Sequence, residues 1–204
     1  MKTFTQFLRE QTDNKTAVIA YGRYNPPTIG HEKLINKVVE VSKRELADGF
    51  IVPSHSVDNK KNPLTFEEKK RLLELMTSDV EILDIGKTII DLLKNLQARG
   101  YTRIIHVAGS DRIPEFEKLI GMYNNRPDRD NIIPFSFQEY EFESAGERDP
   151  DSEDVSGMSA SKLRQLAVDG RLEEFKQGMS DTISDDLKTL TYDNIRERIK
   201  KRKN

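Results

Sequence analysis

The sequence contains no cysteine. That absence removes disulfides, thiolate chemistry, cysteine-ligated zinc and iron–sulfur centres together. Three histidines in 204 residues argue against a histidine-built zinc site as well. No apolar run approaches the ~20 residues that would cross a bilayer, and the start lacks the apolar core of a secretory signal. No charge sign dominates either: 33 basic and 35 acidic side chains leave a formal charge of -2. Nothing therefore asks for a polyanionic partner, although local basic patches remain open to the chain. The expectation is a soluble, cytoplasmic protein with no nucleic-acid and no membrane partner; homo-oligomerisation is compatible with all of this. The length suits one well-packed α/β domain with a small helical appendage, and the sequence shows no internal repeat.

What is present reads as alternating strands and helices. Thr16–Tyr21 is a compact Ala/Val/Ile run that predicts a buried strand. Asn25-Pro26-Pro27-Thr28-Ile29-Gly30 predicts a stiff loop, because two prolines fix φ and bar helix while the glycine permits close backbone approach. From His31 the apolar period changes. Leu34, Ile35, Val38 and Val39 recur at helical spacing and predict a helix to about Leu46. Gly49–Pro53, Val80–Ile85, Arg103–Ala108 and Ile132–Phe137 predict further strands. Between them, Thr65 with Glu68 predicts a capping box that opens a helix faced by Leu72, Leu73, Leu75 and Met76. Thr88–Ala98 predicts another helix, and Pro114 suits the first turn of one running to about Met122. Helices over Ser159–Val168, Leu172–Gln177 and roughly Tyr192–Lys201 close the chain. The acidic, aliphatic-poor stretch Glu139–Gly157 has the composition of a mobile excursion. The alternation predicts a three-layer α/β fold with about five parallel strands and C-terminal helices.

Two constellations suggest chemistry. Gly22-Arg23-Tyr24-Asn25-Pro26-Pro27-Thr28-Ile29-Gly30-His31 joins a buried strand to a helix, the place where α/β proteins hold phosphates on unpaired helix N–H groups. Thr28 adds a hydroxyl, Gly30 clears the approach and His31 adds a ring N–H at the same mouth. Taken alone, His31 reads equally well as a helix cap. The second is Ser156-Gly157-Met158-Ser159-Ala160-Ser161-Lys162-Leu163-Arg164, which runs into a helix. Ser159 is a credible N-cap there, and Ser161, Lys162 and Arg164 fall in the first two turns, where hydroxyls and cations converge on one anion. An ordinary capped surface helix is the plainer alternative. The first loop lacks G-x-G-x-x-G, so hydride chemistry on a bound NAD is not indicated.

The first loop resembles the signature of the nucleotidylyltransferases whose hallmark is His/Thr-x-Gly-His, with Gly22, Arg23, Tyr24, Pro26, Thr28, Gly30 and His31 matching the pattern. Tyr24 stands where phenylalanine is common, and Thr28 is the threonine variant of the first histidine. The second constellation is similar to the family's later motif, with Ser159, Ser161 and Arg164 in the matching places. The resemblance covers roughly residues 16–168 and implies a Rossmann-like nucleotidylyltransferase fold. It also implies that Thr28 and His31 contact triphosphate oxygens, that Ser159, Ser161 and Arg164 serve the β- and γ-phosphates, and that a lysine after the second strand, Lys61 rather than Lys60, grips phosphate with help from Arg71. Gly109-Ser110-Asp111-Arg112 resembles the turn that lines the nucleoside, with Gly109 and Asp111 as its site residues. His106, inside an apolar run, reads as a core histidine, and nothing lifts His55 above background.

The implied reaction moves a nucleoside monophosphate from a triphosphate to a small phosphorylated acceptor with release of pyrophosphate. Arg23, Tyr24 and Asn25 are closest to the nicotinamide mononucleotide adenylyltransferases, which make NAD from ATP. Magnesium would travel with the triphosphate, and no carboxylate cluster looks like a dedicated metal cage. A cytidylyltransferase acting on a sugar or alcohol phosphate, and a non-catalytic nucleotide-binding or phage structural protein, are the competing readings. Residues 169–204 read as a helical extension and residues 1–15 as an amphipathic N-terminal segment. Met1–Glu10 also resembles the sorting peptides of internal head proteins of large tailed phages, cleaved after Leu8-Arg9-Glu10. A plain helix with Phe4, Phe7 and Leu8 on one face is the other reading of that segment. If the first holds, the setting is a host cytoplasm, with copies packaged in the virion.

Overall fold

The computed structural model describes residues 15–146 and 158–201. The N-terminal segment, Ser156-Gly157 and most of the acidic stretch before them lie outside the described residues. In chain order the elements are β1 (Lys15–Gly22), α1 (Ile29–Glu45), β2 (Asp48–Pro53), α2 (Phe66–Met76), β3 (Glu81–Ile82), α3 (Ile89–Ala98), β4 (Tyr101–Ala108), α4 (Ile113–Tyr123), β5 (Glu139–Ser144), α5 (Ala160–Asp169), α6 (Leu172–Gln177) and α7 (Asp185–Lys200). The five strands form one sheet in the order β3-β2-β1-β4-β5, and all four pairings are parallel. No described helix is long and apolar enough to cross a membrane.

Local rules account for the helix starts. Thr65 and Glu68 exchange the two bonds of a capping box at α2, with Thr65 N–H donating to Glu68 Oε2 at 2.8 Å and Glu68 N–H to Thr65 Oγ1 at 3.3 Å. Thr88 and Asp91 do the same at α3, at 3.1 and 3.2 Å. Along α3, Ile89, Leu92, Leu93 and Leu96 follow the i, i+3, i+4, i+7 rule and are all buried. Each fully buried leucine contributes roughly 1.5–3 kcal/mol.

The sheet is covered on both faces. Ile35, Val38 and Val41 of α1 and Leu73 of α2 pack on Val18, Ala20, Ile51, Ile105 and Val107. The opposite face carries α3 and α4, whose Leu92, Leu96, Phe116 and Ile120 meet Ala17, Ile19, Ile104 and Ala108. A third apolar cluster joins Leu64 and Leu72 to Leu163, Phe175, Met179, Tyr192 and Ile195. It fastens α5, α6 and α7 to the outer side of α2.

Three sequence expectations are corrected. The fifth strand is Glu139–Ser144, inside the stretch expected to be a mobile excursion, and Ile132–Phe137 is not a strand. Ile132 and Ile133 are 60% and 53% exposed, while Phe135 and Phe137 fill the core from irregular backbone. In β5, Tyr140 and Phe142 turn inward. The alternate glutamates find cations: Glu139 and Glu141 meet Arg103, and Glu143 meets Lys37 and Arg44. The last helix also begins seven residues earlier than expected, at Asp185 behind the N-cap Ser184, because polar Asp185–Lys188 reads as loop until the cap is recognised.

Candidate active site

The chain crosses from one side of β1 to the other between β3 and β4, so the carboxyl ends of β1 and β4 border a topological switch point, where open α/β sheets bind ligands. Register sets the level. Ile19 pairs with His106, so Gly22 and Gly109 each lie three residues further on, at the same sheet edge. On the other flank Gly22 pairs with Pro53, and Ser54 N–H donates to Gly22 O at 2.7 Å. The loop after β1 is thus held between the loops after β2 and β4.

Inside that loop the small and buried residues have structural work. A side chain at Gly22 would meet the Tyr24 ring at 3.1 Å. Tyr24 adopts a φ of 46°, is buried, and donates its hydroxyl to Ala20 O at 3.3 Å. The Asn25–Pro26 peptide is cis. Asn25 is 1% exposed; its Nδ2 donates to Leu64 O at 3.0 Å and its Oδ1 accepts from Leu64 N–H at 2.9 Å. Tyr24 and Asn25 therefore shape the loop from beneath, while Arg23 is exposed.

Thr28 is the N-cap of α1, and Gly30 and His31 lie in its first turn. Thr28 N–H donates to His31 Nδ1 at 3.0 Å, and the Thr28 hydroxyl lies 2.9 Å from the same nitrogen. A backbone N–H cannot reverse its role, so Nδ1 is the acceptor and the neutral ring carries its proton on Nε2. The Tyr24 ring, with centroids 4.9 Å apart, backs the imidazole. The cap thus fixes both the orientation and the tautomer of a donor at a helix N-terminus.

The second constellation comes to the same place. Ser159 caps α5, its Oγ accepting from Lys162 N–H at 3.1 Å. Met158 is buried in the third cluster beside Leu163, which explains an apolar residue there. Arg164 Nη1 donates to Asn25 O at 2.6 Å across 139 residues of sequence, and Nη2 donates to Ser161 Oγ at 2.9 Å. The tie is doubled where Ile29 N–H donates to Gly178 O at 3.0 Å. Burial, and after it the like charge of Arg23, pulls the Arg164 pKa below its ordinary value, with Asp58 acting in the opposite sense. Arg164 remains a cation. Two guanidinium groups whose charges act on one another, one of them half-buried near a helix start, attract a multiply charged anion.

Asp58 belongs to the loop that carries the lysines. Its Oδ1 accepts from Lys60 N–H at 2.8 Å and Lys61 N–H at 2.6 Å, and its Oδ2 accepts from Asn62 Nδ2 at 2.6 Å. The bond from Lys61 N–H leads in pulling the Asp58 pKa down to about 2. Both lysine side chains are exposed. Gly109 and Asp111 occupy the turn after β4, where a side chain on Gly109 would meet the Asp111 carboxylate at 2.7 Å. Arg112 folds back on its own helix, pairing with Glu115 at 3.2 Å. His106 is a core residue: it is fully buried, its Nδ1 lies 3.0 Å from Tyr140 Oη, and burial lowers its pKa to about 3.

Sequence reasoning missed two residues at this edge. His55 stacks on Phe66 with centroids 4.2 Å apart and bonds Asp84 at 2.7 Å. Lys69, rather than the exposed Arg71, reaches the sheet edge, where its Nζ donates to Ser54 O. The available signal was a lysine on the apolar stripe of α2, in step with Phe66, Leu72 and Leu73. Burial pushes the Lys69 pKa from 10.5 down to about 8. Between those values the unfolded chain holds the extra proton, so Lys69 makes stability rise with pH there; below them both states are protonated and the dependence vanishes. The difference in Tm between the wild type and Lys69→Met is expected to move in favour of the wild type from pH 8 to pH 10.5. A flat difference across that window would show a lysine that titrates normally.

No group of three or more His, Asp or Glu side chains among the described residues stands close enough to hold a metal ion. Residues 19–166 match the family model described as cytidylyltransferase-like. A relative from Acholeplasma laidlawii, named "Probable nicotinate-nucleotide adenylyltransferase", is 30% identical over 126 residues, covering 52% of this chain and 63% of its own length. Plasmodium falciparum nicotinic acid mononucleotide adenylyltransferase, solved in complexes with APC and with NaAD, superposes with TM-scores of 0.57 and 0.53 at 17% identity, over 88% of this chain and 98% of its own. That likeness is one of fold, over most of the chain. Sheet order, the loop after β1 and the matched span agree: the chain belongs to the cytidylyltransferase-like family.

Proposed function

We propose that the protein transfers an adenylyl group from ATP to the phosphate of a pyridine mononucleotide, nicotinamide or nicotinate mononucleotide, releasing pyrophosphate and forming the dinucleotide. The observation that carries this reading is the bond from Arg164 to Asn25 O, which makes one anion-attracting site of two distant phosphate-type motifs. The names of the relatives support the choice of acceptor.

In this reading an oxygen of the acceptor phosphate attacks the α-phosphorus in line. A bond forms there while the bond from the α-phosphorus to the oxygen bridging to the β-phosphate breaks, and that oxygen leaves with pyrophosphate. The attacking phosphate is already ionised, so no general base is needed and catalysis consists of alignment plus electrostatic stabilisation. His31 donates from Nε2–H to an oxygen of the α-phosphate as its charge grows, with Thr28 and Gly30 shaping the helix mouth around it. Arg164, Arg23 and Lys61 neutralise the departing pyrophosphate, with Ser159 and Ser161 hydroxyls at the same helix start. Gly109 and Asp111 line the nucleoside across the switch crevice. Magnesium enters with the triphosphate as part of the substrate.

The test is a panel of ATP and CTP, with magnesium, against nicotinamide mononucleotide, nicotinate mononucleotide, phosphopantetheine and sugar phosphates, read as pyrophosphate release. Release is expected only when a pyridine mononucleotide accompanies ATP. Turnover with CTP alone would replace the assignment by a cytidylyltransferase, and ATP binding without turnover on any acceptor would make the protein a nucleotide sensor.

A further inference from the structure

We infer that Arg198, on the C-terminal helix, is a positioning residue that holds the Lys60–Lys61 loop against the polyphosphate site; this rests on the reading of that site given above. The argument begins with Pro63 and Leu64, which connect the lysine loop to α2. Leu64 is pinned from one side, both its N–H and its carbonyl being bonded to the Asn25 amide. Pro63 is pinned from the other side, where Arg198 Nη1 donates to Pro63 O at 2.8 Å.

The Arg198 guanidinium is itself fixed. Nη1 also donates to Glu68 Oε2 at 2.5 Å, and Nη2 donates to Glu68 Oε1 at 3.0 Å. Asn194, one turn earlier on α7, donates from Nδ2 to Glu68 Oε1 at 2.9 Å. Glu68 meanwhile completes the cap of α2 by accepting from Thr65 N–H. One planar fork therefore spans both oxygens of a carboxylate and a carbonyl in a fixed geometry that the compact ammonium of a lysine does not reproduce.

The loop ahead of this anchor is closed on itself. Asp58 N–H donates to Asn62 O at 2.9 Å, and the Asp58 carboxylate collects the N–H groups of Lys60 and Lys61. A loop closed in this way moves as a body about its attachment at Pro63. Loosening Pro63 swings both lysines relative to Arg164, and misplacements near 1 Å are felt strongly at preorganised sites. Arg198 touches neither lysine, so its influence on phosphate has to pass through the loop.

That requirement gives the test. MgATP and inorganic tripolyphosphate serve as probes in calorimetric titrations of four proteins: wild type, Arg198→Lys, Lys60→Ala/Lys61→Ala, and the triple variant. Arg198→Lys is expected to weaken binding about fivefold in the wild-type background and less than about twofold once both lysines are gone, the non-additivity of residues acting as one unit. Thermal unfolding accompanies each titration. If Arg198→Lys does not fold, Glu68→Gln takes its place, because it weakens the same fork from the other end. Equal losses in both backgrounds, or no loss in either, overturn the inference. A wild type that binds both probes but turns over no acceptor removes the enzymatic reading and leaves this test legible. A wild type that binds neither probe removes the site and the inference together.

Discussion

His31→Ala is expected to lower turnover by about 100-fold or more while leaving the fold intact. The ring is a donor whose tautomer is set by the chain itself, since Thr28 N–H occupies Nδ1. Losing one preorganised donor to charge that develops in a transition state costs about 2.7–4 kcal/mol where it has been measured. The structural cost is smaller. His31 lies in the first turn of α1 and is only partly buried, and loss of a capping interaction is worth about 1 kcal/mol. A drop of a few degrees in Tm is therefore anticipated alongside the kinetic loss. Steady-state kinetics and thermal unfolding of the same preparation separate the two roles. Were the histidine only a cap, Tm would fall by that amount and kcat per folded molecule would stay at the wild-type value.

Arg164→Ala has the next largest expected effect, a fall of about 100-fold in kcat/KM for the nucleoside triphosphate, the scale on which truncating a buried, hydrogen-bonded charge is felt. The substitution removes a cation from a half-buried position and cuts the tether to Asn25 O together with the bond to Ser161 Oγ. Arg164→Lys should recover only part of the loss, because a compact ammonium on a flexible stem does not reproduce the fixed spacing of the two guanidinium donors. The comparison that matters is KM for triphosphate against KM for acceptor, with each substrate varied at saturation of the other. An increase confined to the acceptor would move Arg164 out of the polyphosphate site.

Those two residues were legible in the sequence because each sits in a short motif tied to a helix start, where capping and anion binding obey local rules. The same locality made the Thr65 cap, the buried β1 run and the helix after Thr88 readable. What escaped detection depends on distant partners. Three glutamates in six residues of β5 look like solvated chain until Arg103, Arg44 and Lys37 are known to face them. Ile132 and Ile133 carry strong strand propensity but end at the surface, since the core there is filled by Phe135 and Phe137. Asp58 and Lys69 drew no notice because an exposed-looking aspartate and one lysine among three successive basic residues are ordinary in sequence. Their places are set by a turn in one case and by the buried face of a helix in the other. Tyr24 and Asn25, singled out by the resemblance, are buried and brace the loop through Ala20 O and Leu64, contacts that only packing reveals.

The two outer strands bear on how the molecule meets its own copies. One border of the sheet, β3, is two residues long and offers almost no unpaired backbone for another strand to copy. The other, β5, alternates glutamate with partly buried aromatic residues, so an incoming strand laid beside it would meet carboxylates already committed to cations. Short edges and charged edges are two of the usual guards against sheet-to-sheet growth. An assembly of this protein built through its helices and loops would leave the sheet, and the crevice at its carboxyl end, as the property of a single chain.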